Sequence, residues 1–320
     1  MKLIIQIPCL NESGTLAVAV NALPRQVPGF DRVEWLVIDD GSIDDTGRIA
    51  TELGVDHVIR HPVNRGLATA FMTGINACLQ LGADVIVNTD ADNQYEADDI
   101  PLLTAPIING EADMVIGSRP IDETEHFSWI KKKLQRLGSW AVRKASGTSV
   151  GDAPSGFRAI SRETAYRLNV FNAYTYTLET IIQAGASNLR IASVPIRTNG
   201  DLRPSRLVKS IYSYVTRSLG TILRIFVIYH PAKFFIWPGS ILLALGALVT
   251  ARFVFTYLAH GTAGHIQSLV LATLCVMLGS LFFVVSFLAD QITANRKILE
   301  RIQVGVLKLR FEREAVRNAD

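Results

Sequence analysis

The chain has 320 residues, a formal net charge of +3 and a mean hydropathy of +0.25. So small a charge gives no basis for a nucleic-acid binder, whereas the hydropathy is high for a soluble protein and its apolar excess lies near the C-terminal end. Cys9, Cys78 and Cys275 show neither metal-site spacing nor a disulfide framework, which fits a reducing compartment. The first apolar run, residues 3–7, is too short for a signal peptide and predicts a buried strand instead.

Along the first two hundred residues, strand-like apolar runs alternate with helical stretches. Strands are predicted at residues 3–7, 34–38, 57–60, 85–89, 114–116 and 192–196. Helices are predicted at residues 14–23, 46–53 and 67–81. This alternation predicts the α/β fold class, with a mainly parallel sheet that is covered by helices on both faces.

Polar clusters follow three of the predicted strands directly. They are Asn11-Glu12, the run from Asp39 to Ser42, and Asp90-Ala91-Asp92. Ligands of parallel α/β sheets bind beyond the carboxyl ends of the strands. The three clusters are therefore expected to form one site.

The C-terminal third contains two long apolar segments, residues 234–258 and 266–289, of which the first includes one charge, Arg252, and the second none. Each is long enough to cross about 30 Å of hydrocarbon as a helix. Helices buried in a large soluble core are the alternative. Basic residues flank the pair but are missing from residues 259–265 between them: Arg217, Arg224 and Lys233 before, and Arg296, Lys297 and Arg301 after. The positive-inside rule predicts a multi-pass inner-membrane protein with its catalytic domain and both termini in the cytoplasm.

Four regions follow from this pattern. Residues 1–205 are expected to form the catalytic domain, and residues 206–232 an amphipathic juxtamembrane helix on the bilayer surface or packed on that domain. Residues 233–290 are expected to hold the two transmembrane helices. Residues 291–320 have the charge pattern of a cytoplasmic tail helix.

The most specific chemical signal is the acidic triplet Asp90-Ala91-Asp92 with Gln94 just beyond it. Two carboxylates and an amide at a strand end suit Mg²⁺ or Mn²⁺, which commonly bind a substrate diphosphate as well. An acidic loop that caps the next helix is the alternative for the triplet alone.

Four further motifs favour the metal site over the capping loop. They are residues 7–12, residues 37–42 with Asp44 and Thr46, residues 64–66 with Ala70 and Gly74, and residues 117–119. With the acidic triplet, they resemble the family 2 glycosyltransferases of the GT-A fold, a Rossmann-like fold. The resemblance covers roughly residues 3–200 and keeps the order and approximate spacing of the motifs. It implies an inverting glycosyltransferase that uses a nucleotide-sugar donor.

The resemblance also assigns residues. It implies nucleotide contacts from Pro8, Leu10, Asn11, Glu12, Asp39, Asp40, Asn64, Gly66, Asp90 and Ala91. It implies Asp90, Asp92 and Gln94 as ligands of a Mg²⁺ or Mn²⁺ cofactor. A turn with a helix N-cap at Ser42 or Asp44 also explains the Asp39-Asp40 pair, and both interpretations can hold together.

The segment from Asp152 to Arg158 resembles the Asp-x-x-Ser-Gly-Phe-Arg motif of polyprenyl-phosphate sugar synthases, the branch similar to dolichol-phosphate-mannose synthase. There the segment faces the acceptor phosphate. The resemblance implies Asp152 and Arg119 as catalytic residues, and it leaves Asp152 open as a base, a positioning group or a turn cap. Acceptor-phosphate contacts are expected from Ser155, Lys132, Arg203 and Arg206. For the basic residues, contact with anionic lipid head groups is the alternative.

The expected reaction is transfer of one sugar from a UDP- or GDP-sugar to an undecaprenyl- or dolichyl-type phosphate. The Gln-x-x-Arg-Trp motif of processive synthases is missing, which favours a single transfer. Two alternatives remain at this point: a hydroxyl acceptor on another lipid or lipid-linked glycan, and a non-catalytic membrane scaffold. A homo-oligomer and a flippase partner are both compatible with the pattern.

Overall fold

The fold is described from a computed structural model, and the described residues are 1–120, 139–140, 142–143, 147–148, 150–170, 176–200, 220, 223, 227, 231–260 and 266–317. The chain divides into two compact units. The first contains residues 1–223 and 303–320, and the second contains residues 224–302.

A seven-stranded sheet, counted over the described residues, forms the centre of the first unit. Its strands are β1 (Lys2–Cys9), β2 (Arg32–Asp39), β3 (His57–Arg60), β4 (Val85–Asn88), β5 (Met114–Ser118), β6 (Arg158–Ser161) and β7 (Ile191–Pro195). They lie in the order β3-β2-β1-β4-β6-β5-β7, and only β6 runs antiparallel to its neighbours. The predicted α/β class with a mainly parallel sheet is confirmed. Strand β6 was not predicted, because it begins at the charged residue Arg158 and is only four residues long.

Helices follow most of the strands. They are α1 (Leu16–Ala22), α2 (Thr46–Glu52), α3 (Leu67–Gln80), α4 (Ile100–Ile108), α5 (Arg162–Arg167), α6 (Thr177–Ala186), α7 (Pro231–His260) and α8 (Ile266–Arg317). A short 3₁₀ helix, Ala97–Asp99, precedes α4. The three predicted helices end within two residues of their predicted bounds, whereas α4, α5 and α6 were not predicted.

A buried polar pair lies between β1 and β4. Gln6 on β1 lies opposite Asn88 on β4, both are fully buried, and the Gln6 side-chain amide donates a hydrogen bond of 2.9 Å to Asn88 Oδ1. Helix α3 can approach β1 here because residue 74 is glycine, since a Cβ at Gly74 would collide with Gln6 Oε1. The two side chains thus form a hydrogen bond between β1 and β4 inside the sheet, at the end of β4.

The second unit contains α7 and the part of α8 up to residue 302. Glycines let the two helices pack closely, because a Cβ at Gly246 would lie 2.8 Å from Val276 Cγ2 and a Cβ at Gly279 would lie 2.8 Å from Leu243 Cγ. Among the described residues, Phe234–Ala259 and Ile266–Phe311 are long and apolar enough to cross a membrane. Their large apolar side chains are mostly exposed. A core helix of a soluble protein would bury such side chains, so lipid is the environment that fits those of residues 234–258 and 266–289.

Candidate active site

The loops after β1 and β2 hold each other by side-chain hydrogen bonds. The backbone N–H of Asn11 donates to Ser42 Oγ at 2.9 Å, and Asn11 Oδ1 accepts from the N–H of Ile43 at 2.9 Å. The N–H of Glu12 donates to Thr46 Oγ1 at 2.8 Å. Asn11 has a φ of +54°, a conformation that asparagine tolerates better than most residues. Two of the predicted nucleotide-binding residues, Asn11 and Glu12, therefore also join the two loops.

Asp40 shapes the chain before α3. Its carboxylate accepts hydrogen bonds from the backbone N–H groups of Arg65 at 3.0 Å and Gly66 at 2.9 Å, and it lies 2.7 Å from His61 Nδ1. Gly66 has a φ of +94°, which favours glycine, and it accepts no side chain without strain. Asn64 Oδ1 caps the same turn by accepting from the Gly66 N–H at 2.9 Å. Asp40 and Asn64 thus have structural partners besides any nucleotide contact.

Asp39 differs from its neighbour because one of its oxygens is not fully used. Its Oδ1 accepts from the Ser42 N–H at 2.8 Å, as the predicted turn requires. Its Oδ2 is buried, lies 3.3 Å from Arg60 Nε, and accepts no hydrogen bond within the described part of the chain. The Asp39 carboxylate is therefore enclosed between the Ser42 turn and Arg60.

The acidic triplet forms a tight turn directly after β4. Asp92 Oδ1 accepts from the Gln94 N–H at 3.2 Å, and Asn93 has a φ of +56°. Burial and the nearby charge of Asp92 raise the pKa of Asp90 to about 7, against the opposing effect of Arg119. The two carboxylates thus lie in a region where positive charge is needed to keep both ionised.

This donor set fits a hard divalent cation, although it is not complete by itself. No group of three His, Cys, Asp or Glu side chains gathers at metal-binding distance among the residues that the structure describes. Asp90 and Asp92 would supply two carboxylates. Mg²⁺ and Mn²⁺ commonly complete their shell with water and substrate phosphate oxygens. The site therefore fits a metal that is bound jointly with a diphosphate.

Residues just after β7 brace the acidic turn. The backbone N–H of Asn199 donates to the Gln94 carbonyl at 2.9 Å, and its side-chain amide donates to the Asn93 carbonyl at 3.1 Å. Arg197 donates from Nη2 to the buried Asp99 at 2.7 Å. These braces were not predicted, because the two segments lie about a hundred residues apart in sequence.

Arg119 and Asp152 form a two-pronged ion pair. Arg119 Nε donates to Asp152 Oδ2 at 2.7 Å, and Arg119 Nη2 donates to Oδ1 at 3.1 Å. Asp152 is fully buried, whereas the side chain of Arg119 keeps 13% of its surface exposed. The Arg119 guanidinium also interacts with Asp90, where it opposes the rise in pKa that burial and Asp92 cause. The two residues predicted to be catalytic are therefore neighbours, and Arg119 is the one that reaches solvent.

Hydrogen bonds fasten the loop before β6 to the end of β4. Asn88 Nδ2 donates to the Gly156 carbonyl and to Tyr176 Oη, both at 2.9 Å, and the Gly156 N–H donates to Tyr95 Oη at 2.9 Å. A Cβ at Gly156 would lie 3.0 Å from both Asp90 Oδ1 and Tyr176 Oη. Glycine is needed where the loop passes the acidic turn. Of the residues that make these contacts, only Asn88 is noticeable in the sequence, as an asparagine at the end of an apolar strand.

Two residues of the same loop are buried. The Ser155 hydroxyl is fully buried and makes no hydrogen bond within the described residues. Arg158 is fully buried as well, donates to Thr180 Oγ1 at 2.6 Å, and lies 5.3 Å from the centre of the Tyr176 ring. Burial lowers the pKa of Arg158 below its usual value. Ser155 therefore lies beneath the surface, and its contact with an acceptor stays a prediction.

The remaining predicted site residues are placed as follows. Pro8 is buried in β1, Ala91 is buried in the acidic turn, and Leu10 is partly exposed at the end of β1. Lys132, Arg203 and Arg206 lie outside the described residues, as does most of the predicted juxtamembrane helix.

Comparison with known proteins connects this arrangement to a family. The family model described as "Glycosyl transferase family 2" matches residues 4–168. The UDP-N-acetylglucosamine–dolichyl-phosphate N-acetylglucosaminyltransferase of Methanococcus voltae is 33% identical over 60% of this chain and 83% of its own length. The undecaprenyl-phosphate mannosyltransferase of Micrococcus luteus is 30% identical over 61% of this chain and 83% of its own length.

A solved structure shares the fold. The Mycobacterium tuberculosis glucosyl-3-phosphoglycerate synthase, crystallised with Mn²⁺, UDP-glucose and phosphoglyceric acid, superposes with a TM-score of 0.55 at 23% identity, over 69% of this chain and 79% of that one. The match of the family model over half of the chain, together with the acidic turn at the end of β4, shows that this chain belongs to glycosyl transferase family 2.

Proposed function

We propose that this enzyme transfers a single sugar, with inversion, from a nucleotide-sugar to a polyprenyl phosphate at the cytoplasmic face of a membrane. The observation that carries the proposal is the Arg119–Asp152 ion pair beside Asp90. It places a fixed positive charge next to the acidic turn where the donor diphosphate would bind. The two relatives described above bear names of polyprenyl-phosphate sugar transferases, which supports the same acceptor class.

The donor half of the site would bind the nucleotide at the ends of β1 and β2. Asp39 and Asp40 follow each other at the end of β2, where the base or the ribose would lie. Asp90 and Asp92 would hold Mg²⁺ or Mn²⁺ together with the diphosphate, and Gln94 lies on the same turn. The bound cation would offset the negative charge that develops on the departing nucleoside diphosphate.

The acceptor half needs positive charge more than it needs a base. A phosphate monoester has its second pKa near 6, so at neutral pH it is mostly a dianion and already nucleophilic. Arg119 would orient the acceptor phosphate through charge-assisted hydrogen bonds. Asp152 would act as a positioning residue, because both of its oxygens accept hydrogen bonds from Arg119.

The reaction follows from this arrangement. An acceptor phosphate oxygen attacks the anomeric carbon on the face opposite the donor diphosphate. The new carbon–oxygen bond forms as the bond to the donor diphosphate breaks, and the nucleoside diphosphate leaves with the bonding electron pair. Arg119 holds the attacking phosphate, and no proton has to be removed from it.

The proposal is tested with the purified enzyme reconstituted into lipid vesicles. The vesicles are incubated with polyprenyl phosphate, Mn²⁺ and a panel of labelled UDP- and GDP-sugars. The expected result is labelled lipid from one donor, and no product from the unphosphorylated polyprenol. Asp92→Asn should lose the transfer. Transfer to the free polyprenol or to diacylglycerol, or no transfer from any donor beside an active control enzyme, would contradict the proposal.

A further inference from the structure

Helix α8 continues well beyond the predicted membrane span. It runs for 52 residues without interruption, through residue 290, where the span and a separate tail helix were expected to meet. At about 1.5 Å per residue, Leu299 lies about 50 Å and Leu309 about 65 Å along the axis from Ile266. The hydrocarbon core of a bilayer is only about 30 Å thick. The last turns of an uninterrupted helix thus stand outside the lipid.

One face of this outer part already has a partner. Lys308 Nζ lies 2.6 Å from Glu163 Oε2 on α5, and Phe311, which is 7% exposed, packs near the Tyr166 ring with 6.1 Å between the ring centres. Asn169 donates to Gln303 Oε1 at 3.2 Å. The end of α8 therefore packs within the first unit, against α5 and the residues after it, through one side.

The opposite face is apolar and uncovered. The side chains of Ile302, Val306 and Leu309 are 56%, 58% and 60% exposed. Val306 lies two positions before Lys308, and Leu309 lies two positions before Phe311. Two positions turn about 200° around the helix, so both residues lie opposite the packed side. With Leu299, which is 65% exposed, the three exposed residues recur at alternating spacings of three and four residues. Extended upstream, the stripe comprises Ile292, Asn295, Leu299, Ile302, Val306 and Leu309.

This spacing is the a/d heptad pattern of a coiled coil, with Ile292, Leu299 and Val306 at a positions and Asn295, Ile302 and Leu309 at d positions. Asn295 is the single polar residue of the stripe. We propose that this stripe, the α8 stripe, binds the α8 stripe of a second copy of the chain as a parallel coiled coil.

The second copy is the occupant that the helix geometry favours. Lipid cannot cover a stripe that extends about 30 Å past the hydrocarbon on an uninterrupted helix. Copies inserted in one membrane share one orientation, so their stripes lie at the same height and meet in parallel register. This inference rests on the membrane-spanning part of the proposed function, and it does not depend on the identity of donor or acceptor.

Cysteine cross-linking in native membranes tests the interface. Facing d residues of a parallel pair are close enough for a disulfide, which needs Cα atoms about 4.4–6.8 Å apart. Ile302→Cys should form an inter-chain disulfide on mild oxidation, whereas Arg301→Cys, about 100° away on the helix, should not. The native cysteines are buried, so the unmodified chain provides the background. Equal cross-linking at both positions would overturn the proposal.

A second measurement keeps the test independent of disulfide chemistry. The protein mass in detergent micelles, measured by light scattering, should be a multiple of one chain and should fall to a single chain in Leu299→Glu/Val306→Glu. Lys297→Glu is the matched control outside the stripe and should leave the mass unchanged. A single-chain mass for the unmodified protein, or an oligomer that survives the paired glutamates, would overturn the proposal.

Two further outcomes separate the possible failures. If the new thiol of the Ile302→Cys variant neither cross-links nor reacts with a water-soluble maleimide, it is covered by lipid or by the same chain, which would overturn the proposal. Asp92→Asn should lose transfer and keep the cross-link. A cross-link without transfer from any donor would therefore contradict the proposed reaction while supporting the interface.

Discussion

Replacing Asp152 by asparagine tests which part this buried carboxylate plays. The change removes the charge but nearly preserves the shape, and it leaves the Arg119 guanidinium next to a neutral amide in a buried setting. Breaking a buried ion pair by removing one partner costs about 3–5 kcal/mol. For a domain of this size, 1 kcal/mol shifts the Tm by about 2–4 °C, so we expect a Tm lowered by roughly 6–20 °C.

The effect on transfer should be smaller than the loss of a general base. A hydrogen bond to a charged group contributes about 1.5–3 kcal/mol, so a poorly held Arg119 should lower kcat/KM by about ten- to a hundredfold. The pH profile should keep its shape, because no proton passes through residue 152. Turnover is measured between pH 6 and about pH 9 below the Tm of the variant, in the window where the acceptor phosphate is ionised.

A double variant separates stability from function. Arg119→Met/Asp152→Leu replaces the ion pair with apolar side chains, which often restores stability when a buried pair is exchanged as a unit. It should unfold at a higher temperature than Asp152→Asn and still lack measurable transfer. Three results together would refute the positioning role: unchanged stability of Asp152→Asn, a loss of turnover near the upper end of the about 10²–10⁴-fold range for general bases, and a pH profile that changes shape on its acidic side.

Three more outcomes are expected. Gly156→Ala places a methyl group 3.0 Å from Asp90 Oδ1 and should lower kcat by about 100-fold, the scale of a misplaced catalytic group, while Gly200→Ala, with open space around it, should not. Burial opposes the ionisation of Asp44, but hydrogen bonds lower its pKa to about 2. The stability that ionised Asp44 contributes is therefore lost as the pH falls from about 4 towards 2. Asp44→Asn should flatten that part of an acid-unfolding curve. Chelation by EDTA should stop transfer, and Mn²⁺ or Mg²⁺ should restore it in the unmodified enzyme but not in Asp92→Asn.

Much of the fold could be predicted because its signals are local. A strand that is buried on both faces is a nearly continuous apolar run, and four of the six predicted strands, β1, β2, β4 and β5, are of this kind. Strand β6 carries a different pattern. It begins at Arg158, a residue that buries its charge against α6, so polarity masked the strand.

The site was predictable where each motif is contiguous and not where distant segments meet. Asp90 and Asp92 follow one strand and are visible as a triplet. The contacts of Gly156 with Tyr95 and Asn88 join segments 61 and 68 residues apart, and no local pattern indicates them. Such contacts form only when the sheet order brings β6 between β4 and β5, which depends on the whole chain.

The Arg119–Asp152 pair also bears on how one fold serves different acceptors. A hydroxyl acceptor must lose a proton as it attacks, so a carboxylate near the reacting carbon has to be free to accept it. A phosphate acceptor arrives ionised, and the same carboxylate can be committed to holding an arginine. In this chain the carboxylate of Asp152 is buried and accepts two hydrogen bonds from the Arg119 guanidinium, while the arginine keeps an exposed edge. The arrangement suits an anionic acceptor, and a hydroxyl acceptor would require Asp152 to leave its partner before every turnover.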